Sequence, residues 1–205
     1  MLDRHLRPFL DPSLNWMGAT VARVGISANA VTLVGLGFGL AAAVAVVAGA
    51  FVLAMLLILA SRLADGLDGA VARAHGVTDF GGYLDITCDY FFYAAIPLAF
   101  VMLDPSANGI AGSFLLLSFY VNAGSFLGFA VLAEKHRMQS NAHGVKSLYF
   151  TSGLLEGTET ILFFLLLCLL PQFFAPLAWG FGVLCLITAA ARVMLAARVF
   201  DDHSR

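Results

Sequence analysis

Asp65-Gly66-Leu67-Asp68-Gly69-Ala70-Val71-Ala72-Arg73, followed by Gly81 and then by Asp85 and Asp89, sits inside sequence that otherwise reads as membrane-spanning. An ionised Asp near the centre of a bilayer costs at least about 2.5–3.5 kcal/mol. Four such carboxylates call for bound cations, a water-filled cavity, or both. The stretch is therefore a functional site by default.

Composition supplies the surroundings. Of 205 residues, 60% are hydrophobic and 12% charged, with a mean hydropathy of +0.90, far from the roughly 25% charged residues of a soluble domain. An all-α integral membrane protein is expected. With a net charge of -2 there is no basic stripe to neutralise phosphates along a duplex, which argues against a nucleic-acid partner. Cys88, Cys168 and Cys185 show no paired or metal-binding spacing and read as small buried hydrophobes.

Apolar runs long enough to cross about 30 Å of hydrocarbon predict six transmembrane helices, at about 28–49, 51–75, 80–102, 109–133, 153–171 and 174–199. Residues 1–23 carry Pro8 and Pro12 and lack the apolar core and small-residue cleavage site of a signal peptide. Leu2, Leu6, Phe9 and Leu10, with Arg4 and Arg7, suit a short amphipathic helix lying at the interface. With no long linker, low-complexity tract or tandem repeat, residues 1–205 are expected to form a single membrane domain.

Orientation follows from the basic residues. Arg4, Arg7 and Arg23 precede the first span, Arg73 ends the second, Lys135, Arg137 and Lys146 follow the fourth, and Arg198 and Arg205 close the chain. The alternate loops near 50, 103–108 and 171–174 contain no Lys or Arg. Both termini and the Asp-rich turn are therefore expected on the cytoplasmic side.

At 3.6 residues per turn, Asp68 lies about 60° to one side of Asp65, with Gly69 and Ala72 about 40° and 20° from it. One helix face thus carries two carboxylates with small residues between them, where a bulky substrate can approach the backbone. Asp85 and Asp89, at i and i+4, share a face of the next span, with Gly81 one turn away. Two antiparallel helices joined by a short turn would aim all four acids at one pocket.

Hard oxygen ligands suit Mg²⁺, Mn²⁺ or Ca²⁺ rather than zinc or copper. Two divalent ions would cancel four negative charges, and paired metals serve phosphoryl transfer. Arg73 stands where it can reach a phosphate or hold one Asp. A buried ionic network with Arg62 and Arg73 is the competing account, and it leaves two of the four acids without a base. A cation or proton transporter is another, weakened because no duplicated half with a second broken, charged helix is evident.

The string D-x2-D-G-x2-A-R-x7-G-x3-D-x3-D, from Asp65 to Asp89, resembles the signature of the CDP-alcohol phosphatidyltransferase family in all its fixed positions. The chain as a whole is similar to a bacterial inner-membrane branch of that family. The resemblance implies a metal-dependent transferase that moves a phosphatidyl group from CDP-diacylglycerol to an alcohol acceptor, releasing CMP, in phospholipid biosynthesis. It also implies a homodimer among membrane lipids, with Mg²⁺ or Mn²⁺ as cofactor. The alternative within the same chemistry donates a CDP-linked head group to a membrane alcohol.

The resemblance also implies residue roles. Asp65, Asp68 and Asp85 would bind the metal that holds the donor diphosphate. Asp89 would be the general base that takes the acceptor's proton, and a further metal ligand. Gly69, Ala72 and Gly81 would make room for the cytidine, and Arg73 would assist with phosphate or orient an Asp. Ser27-Ala28-Asn29-Ala30-Val31-Thr32 resembles the family's P-N-x-x-T opening of the first span, with Ala28 where Pro is usual. Asn29 and Thr32 then contact the nucleotide, unless Ser27 or Asn29 only caps the helix.

Lys146-Ser147 resembles a Lys-Thr pair of several family members, where Lys146 would neutralise a donor or acceptor phosphate; a topology signal is the other account. Glu156 and Glu159 form an i, i+3 pair near the start of the fifth span and favour an acceptor with hydroxyls or a cationic amine, unless one of them pairs with Lys146 or Arg192. A phosphorylated acceptor would need a basic cluster, for which only Lys135, Arg137, Lys146 and Arg192 stand available. Gly35 and Gly39 read as helix-packing residues at GxxxG spacing, and the 18 Phe as packing and lipid-facing residues.

Overall fold

A computed structural model describes residues 3–136 and 157–201. The described residues are helical without strands, in the order α1 (Asp3–Arg23), α2 (Ala28–Val47), α3 (Phe51–His75), α4 (Asp79–Leu103), α5 (Pro105–Lys135), α6 (Gly157–Leu169) and α7 (Phe174–Asp201), with a 3₁₀ turn at Pro171–Phe173 before the last. Four segments are long and apolar enough to cross a membrane: Ala28–Val47, Asp79–Leu103, Pro105–Lys135 and Pro171–Phe200. Six were expected. α3 has the predicted bounds, but Arg62, Asp65, Asp68 and Arg73 lower its apolar character, and α6 has only 13 described residues.

The helix expected within residues 1–23 spans Asp3–Arg23, 21 residues, and its backbone continues through Pro8 and Pro12. It packs against α3, where Gly18 meets Ala70 so closely that an added Cβ would stand 2.5 Å from the Ala70 Cβ. Next to it Leu14 lies over Gly66, 3.0 Å from where a Cβ would be. The sequence gives no sign of this pairing.

Helices in lipid gain little from apolar burial against one another, so close packing of small residues carries the association. Gly35 faces Ala64 and Gly39 faces Phe92, with virtual Cβ distances of 3.1 and 2.5 Å. The expected packing role of both glycines is met, and they draw α2 onto α3 and α4. Further along, Gly112 admits Val101 between α5 and α4, and Gly182 admits Phe114 between α7 and α5. Fully buried Phe92, Phe100, Phe164 and Phe174 belong to a core shared by α2 to α7, with Phe100 stacked on Phe174 at 5.0 Å between ring centroids. All three cysteines are buried thiols, as expected.

Candidate metal and substrate site

The two acid-bearing helices are oriented by their ends. Gly76 closes α3 at φ 106°, a left-handed conformation that glycine adopts without strain. The chain then turns at Thr78, whose hydroxyl accepts the Gly81 N–H at 3.1 Å and caps α4. A Cβ on Gly81 would stand 2.9 Å from Thr78 Oγ1 and 3.2 Å from Asn29 Oδ1. Gly81 therefore lets the start of α2 reach the start of α4. Ser27, rather than Asn29, caps α2, by accepting the Ala30 N–H at 3.2 Å.

Between α2, α3 and α4 lies a cleft. α2 lines it with Thr32, Gly35 and Leu36, and α3 with Ser61, Arg62, Asp65 and Asp68. Asp85, Cys88 and Asp89 of α4 complete it. One carboxylate oxygen from each of Asp65, Asp68 and Asp85 lies within 4.8 Å of the others. Asp68 is buried, and Thr32 Oγ1 donates to its Oδ2 at 2.5 Å. Converging carboxylate oxygens are the donor set of a hard divalent cation such as Mg²⁺ or Mn²⁺, so these residues fit the metal that the sequence calls for.

Asp89 lines the same cleft but has a different neighbour. Its Oδ1 accepts from Arg62 Nη1 at 2.8 Å, and the same nitrogen stands 3.7 Å from Asp65 Oδ2. Arg62 Nη2 also donates to Ser61 Oγ at 3.2 Å, and the Ser61 hydroxyl itself donates to the Gly35 carbonyl at 2.8 Å. The guanidinium lies 4.3 Å from the centroid of the Phe92 ring. The internal pairing weighed from sequence thus exists through Arg62, which bonds Asp89 and stands within ion-pair distance of Asp65, while Asp68 and Asp85 complete the acidic convergence.

Arg73 points elsewhere. It is exposed, and its Nη2 and Nε donate to Asn15 Oδ1 of α1 at 2.8 and 3.3 Å. Nearby, His75 Nε2 and the Ala22 carbonyl lie 3.1 Å apart. Among the described residues Gly69 has Arg73 Nη1, 3.4 Å from a virtual Cβ, as its one close neighbour, and Ala72 on the same face of α3 is half-buried. Lys146 and Glu156 lie outside the described residues, as does Arg137. Glu159 is half-buried in the first turn of α6 and does not line the cleft.

Three contributors escaped the sequence reading: Asn15, Ser61 and Thr78. Thr78 was legible as a cap, being a hydroxyl just before a helix start. Asn15 carried no signal, since 58 residues separate it from Arg73. Arg62 was visible as an ionisable residue in an apolar span, but its choice of Asp89 over Asp65 was not.

The family model for CDP-alcohol phosphatidyltransferases matches residues 25–201. The chain is 46% identical to the inner membrane protein YnjF of Escherichia coli (strain K12) over 193 residues, 94% of each chain. Over 92 residues, 44% of this chain and 49% of the other, it is 37% identical to the archaetidylinositol phosphate synthase of Pyrococcus horikoshii. Its fold is similar to that of the phosphatidylinositol phosphate synthase of Mycobacterium tuberculosis, solved with CDP-DAG bound: TM-score 0.65, 21% identity, covering 90% of this chain and 93% of that one.

Proposed function

The chain belongs to the CDP-alcohol phosphatidyltransferase family, and on that premise we propose that it transfers a phosphatidyl group from CDP-diacylglycerol to an alcohol, with release of CMP. The observation that carries the proposal is the convergence of Asp65, Asp68 and Asp85 within 4.8 Å at a cleft bordered by small residues. A donor diphosphate needs its charge neutralised as the bond to CMP breaks, and these carboxylates are suited to hold Mg²⁺ or Mn²⁺ for that purpose.

The protein's own groups do the rest. Thr32 orients Asp68, and Arg62 orients Asp89. With Oδ1 engaged by Arg62, Asp89 keeps Oδ2 for the acceptor, since an ionised carboxylate offers about four lone-pair sites. Asp89 removes the hydroxyl proton while the acceptor oxygen attacks the lipid-bearing phosphorus, and the phosphorus–oxygen bond to CMP breaks. The face at Gly69 and Ala72, with Asn29 and Gly81 above it, receives the cytidine. Arg73, tied to Asn15, borders the same end and meets the donor phosphates.

The acceptor binds toward Lys146, Glu156 and Glu159. Arg192 is engaged by Asn122 and Ser125, which supports an acceptor carrying hydroxyls rather than a phosphate. In this reading α3 and α6 also cross the membrane, giving six spans, with α1 at the cytoplasmic interface. Both termini and the site then face the cytoplasm of a bacterial inner membrane, in a homodimer.

Purified protein supplied with Mn²⁺ or Mg²⁺, CDP-diacylglycerol and a panel of alcohols is expected to release CMP and form one new lipid. Asp89→Asn is expected to lower the rate at least about 100-fold, the scale of general-base catalysis. Absence of CMP release with every CDP donor and acceptor, together with metal flux into liposomes, would replace the enzyme by a cation transporter.

A further inference from the structure

Serines and threonines inside a helix commonly return their proton to a carbonyl of the preceding turn, and Thr20, Thr87, Ser113 and Thr188 each do so, four residues back. Ser61 does not. Its hydroxyl donates at 2.8 Å to the carbonyl of Gly35 on α2, 26 residues away. The oxygen uses space that a glycine leaves free, 3.3 Å from where a Cβ on Gly39 would stand. Ser61 is fully buried, so the bond is made inside the contact between the two helices.

A serine hydroxyl has one proton and two lone pairs. With the proton committed to Gly35, Oγ can only accept, and it accepts from Arg62 Nη2 at 3.2 Å. The guanidinium is a flat, rigid fork. Its Cζ lies 4.3 Å from the centroid of the Phe92 ring, a contact that leaves the direction of the fork to its hydrogen bonds. Nε is buried without a hydrogen-bond partner among the described residues, so that direction falls to Nη1 and Nη2. Nη1 reaches Asp89 Oδ1 at 2.8 Å and stands 3.7 Å from Asp65 Oδ2. One guanidinium thus serves acids of both α3 and α4, and the bond to Ser61 decides where between them Nη1 points.

We propose that Ser61 is a positioning residue for Asp89, acting through Arg62: the Gly35 carbonyl fixes the Ser61 hydroxyl, Ser61 fixes the guanidinium, and the guanidinium fixes the carboxylate. The depth at which α2 meets α3 is thereby passed on to α4. Thr32, one turn before Gly35, holds Asp68, so both acids take their position from the same stretch of α2. That the placed carboxylate is the base of a transferase rests on the function proposed above; the relay itself does not.

Full-length protein in detergent, given CDP-diacylglycerol and the panel alcohol that yields product, supplies the first test. Ser61→Ala is expected to lower kcat for CMP release about 10–100-fold, the cost of a loosened supporting group, with the KM for CDP-diacylglycerol within about twofold. In an Arg62→Lys background, whose single ammonium cannot span Asp89 and Ser61, the same substitution is expected to change kcat by less than about twofold. A serine that only packs would lower the melting temperature and leave the kcat of the folded fraction unchanged, and that result overturns the proposal. An equal loss of kcat in both backgrounds does so too. Should Ser61→Ala not fold, Ser61→Cys, whose sulfur is a weak acceptor, is expected to give the same loss.

The second test needs no activity. Melting temperatures of Ser61→Ala, Asp89→Asn and the double variant measure the coupling between the two residues, and the shifts are expected to be non-additive with Arg62 present and additive with Arg62→Lys. If no alcohol yields CMP while this coupling is found, the transferase reading falls and the relay stands. If CMP is released and the shifts simply add, the relay alone falls.

Discussion

The hydroxyl of Thr32 on α2 donates to Oδ2 of Asp68 on α3 at 2.5 Å, across 36 residues of sequence. In the proposed role of Asp68 as a metal ligand this bond would keep its second oxygen aimed, and loss of such an orienting partner typically costs 10–100-fold in metal affinity or activity. Thr32→Val is expected to raise the Mn²⁺ dissociation constant about 10-fold, while Thr32→Ser, which keeps the donor, stays near wild type. Isothermal titration on the purified protein decides this, and equal affinities for the two variants would remove the bond's role.

Gly18 and Gly66 both lie where α1 crosses α3, yet their tolerance should differ. A Cβ on Gly18 would stand 2.5 Å from the Ala70 Cβ and 2.9 Å from its carbonyl carbon, so the helix backbone must move. On Gly66 the nearest obstacle, at 3.0 Å, is the flexible end of Leu14. Gly18→Ala is expected to destabilise by about 1–3 kcal/mol, the usual range for overpacking, and Gly66→Ala by less. Thermal unfolding in detergent ranks them.

Arg192 is a fastener between α7 and α5. Its Nη1 donates to the Asn122 carbonyl, to Asn122 Oδ1 and to Ser125 Oγ at 2.7–3.0 Å, and its guanidinium lies 5.5 Å from the Phe126 ring centroid. Removing a buried donor leaves its acceptors unsatisfied at about 1–3 kcal/mol. Arg192→Leu is therefore expected to lower thermal stability while leaving the acceptor KM within about twofold in the protein that remains folded. A large rise in KM with unchanged stability would return Arg192 to acceptor binding.

Asp104, between α4 and α5, accepts the Ala107 N–H at 3.0 Å and the Ser106 hydroxyl at 2.7 Å. The backbone bond first, then the side-chain bond, holds its carboxyl below the usual carboxylate range. A depressed folded value means that the contribution is present above the unfolded value, about 3.9, and disappears as pH falls through the folded one. Asp104→Asn is expected to flatten the part of the melting-temperature profile below pH 4. Superimposable profiles would assign the acid sensitivity to other groups.

How far the site was legible varied with distance along the chain. The pairing of Asp65 with Asp68 and of Asp85 with Asp89 on helix faces followed from 3.6-residue periodicity, and the structure joins Asp65, Asp68 and Asp85 as that pattern suggests. Gly35 and Gly39 announced a close helix contact, and the contact is there. The count of spans was less secure, because α3 carries the charges of the candidate site and so falls below the hydropathy of its neighbours.

The sequence alone determined an all-helical, strongly apolar chain, the helix faces on which the acids stand, and the family signature, because each depends on residues within a few turns of one another. Only the tertiary structure decided that Asp89 goes to Arg62 rather than to the other three acids, that Thr32 holds Asp68, and that Arg73 is bound by Asn15. Periodicity sets the direction in which a side chain leaves its helix. The depth at which two helices cross, and hence which partner stands opposite, is set by where Gly18, Gly35, Gly39 and Gly81 allow backbones to meet.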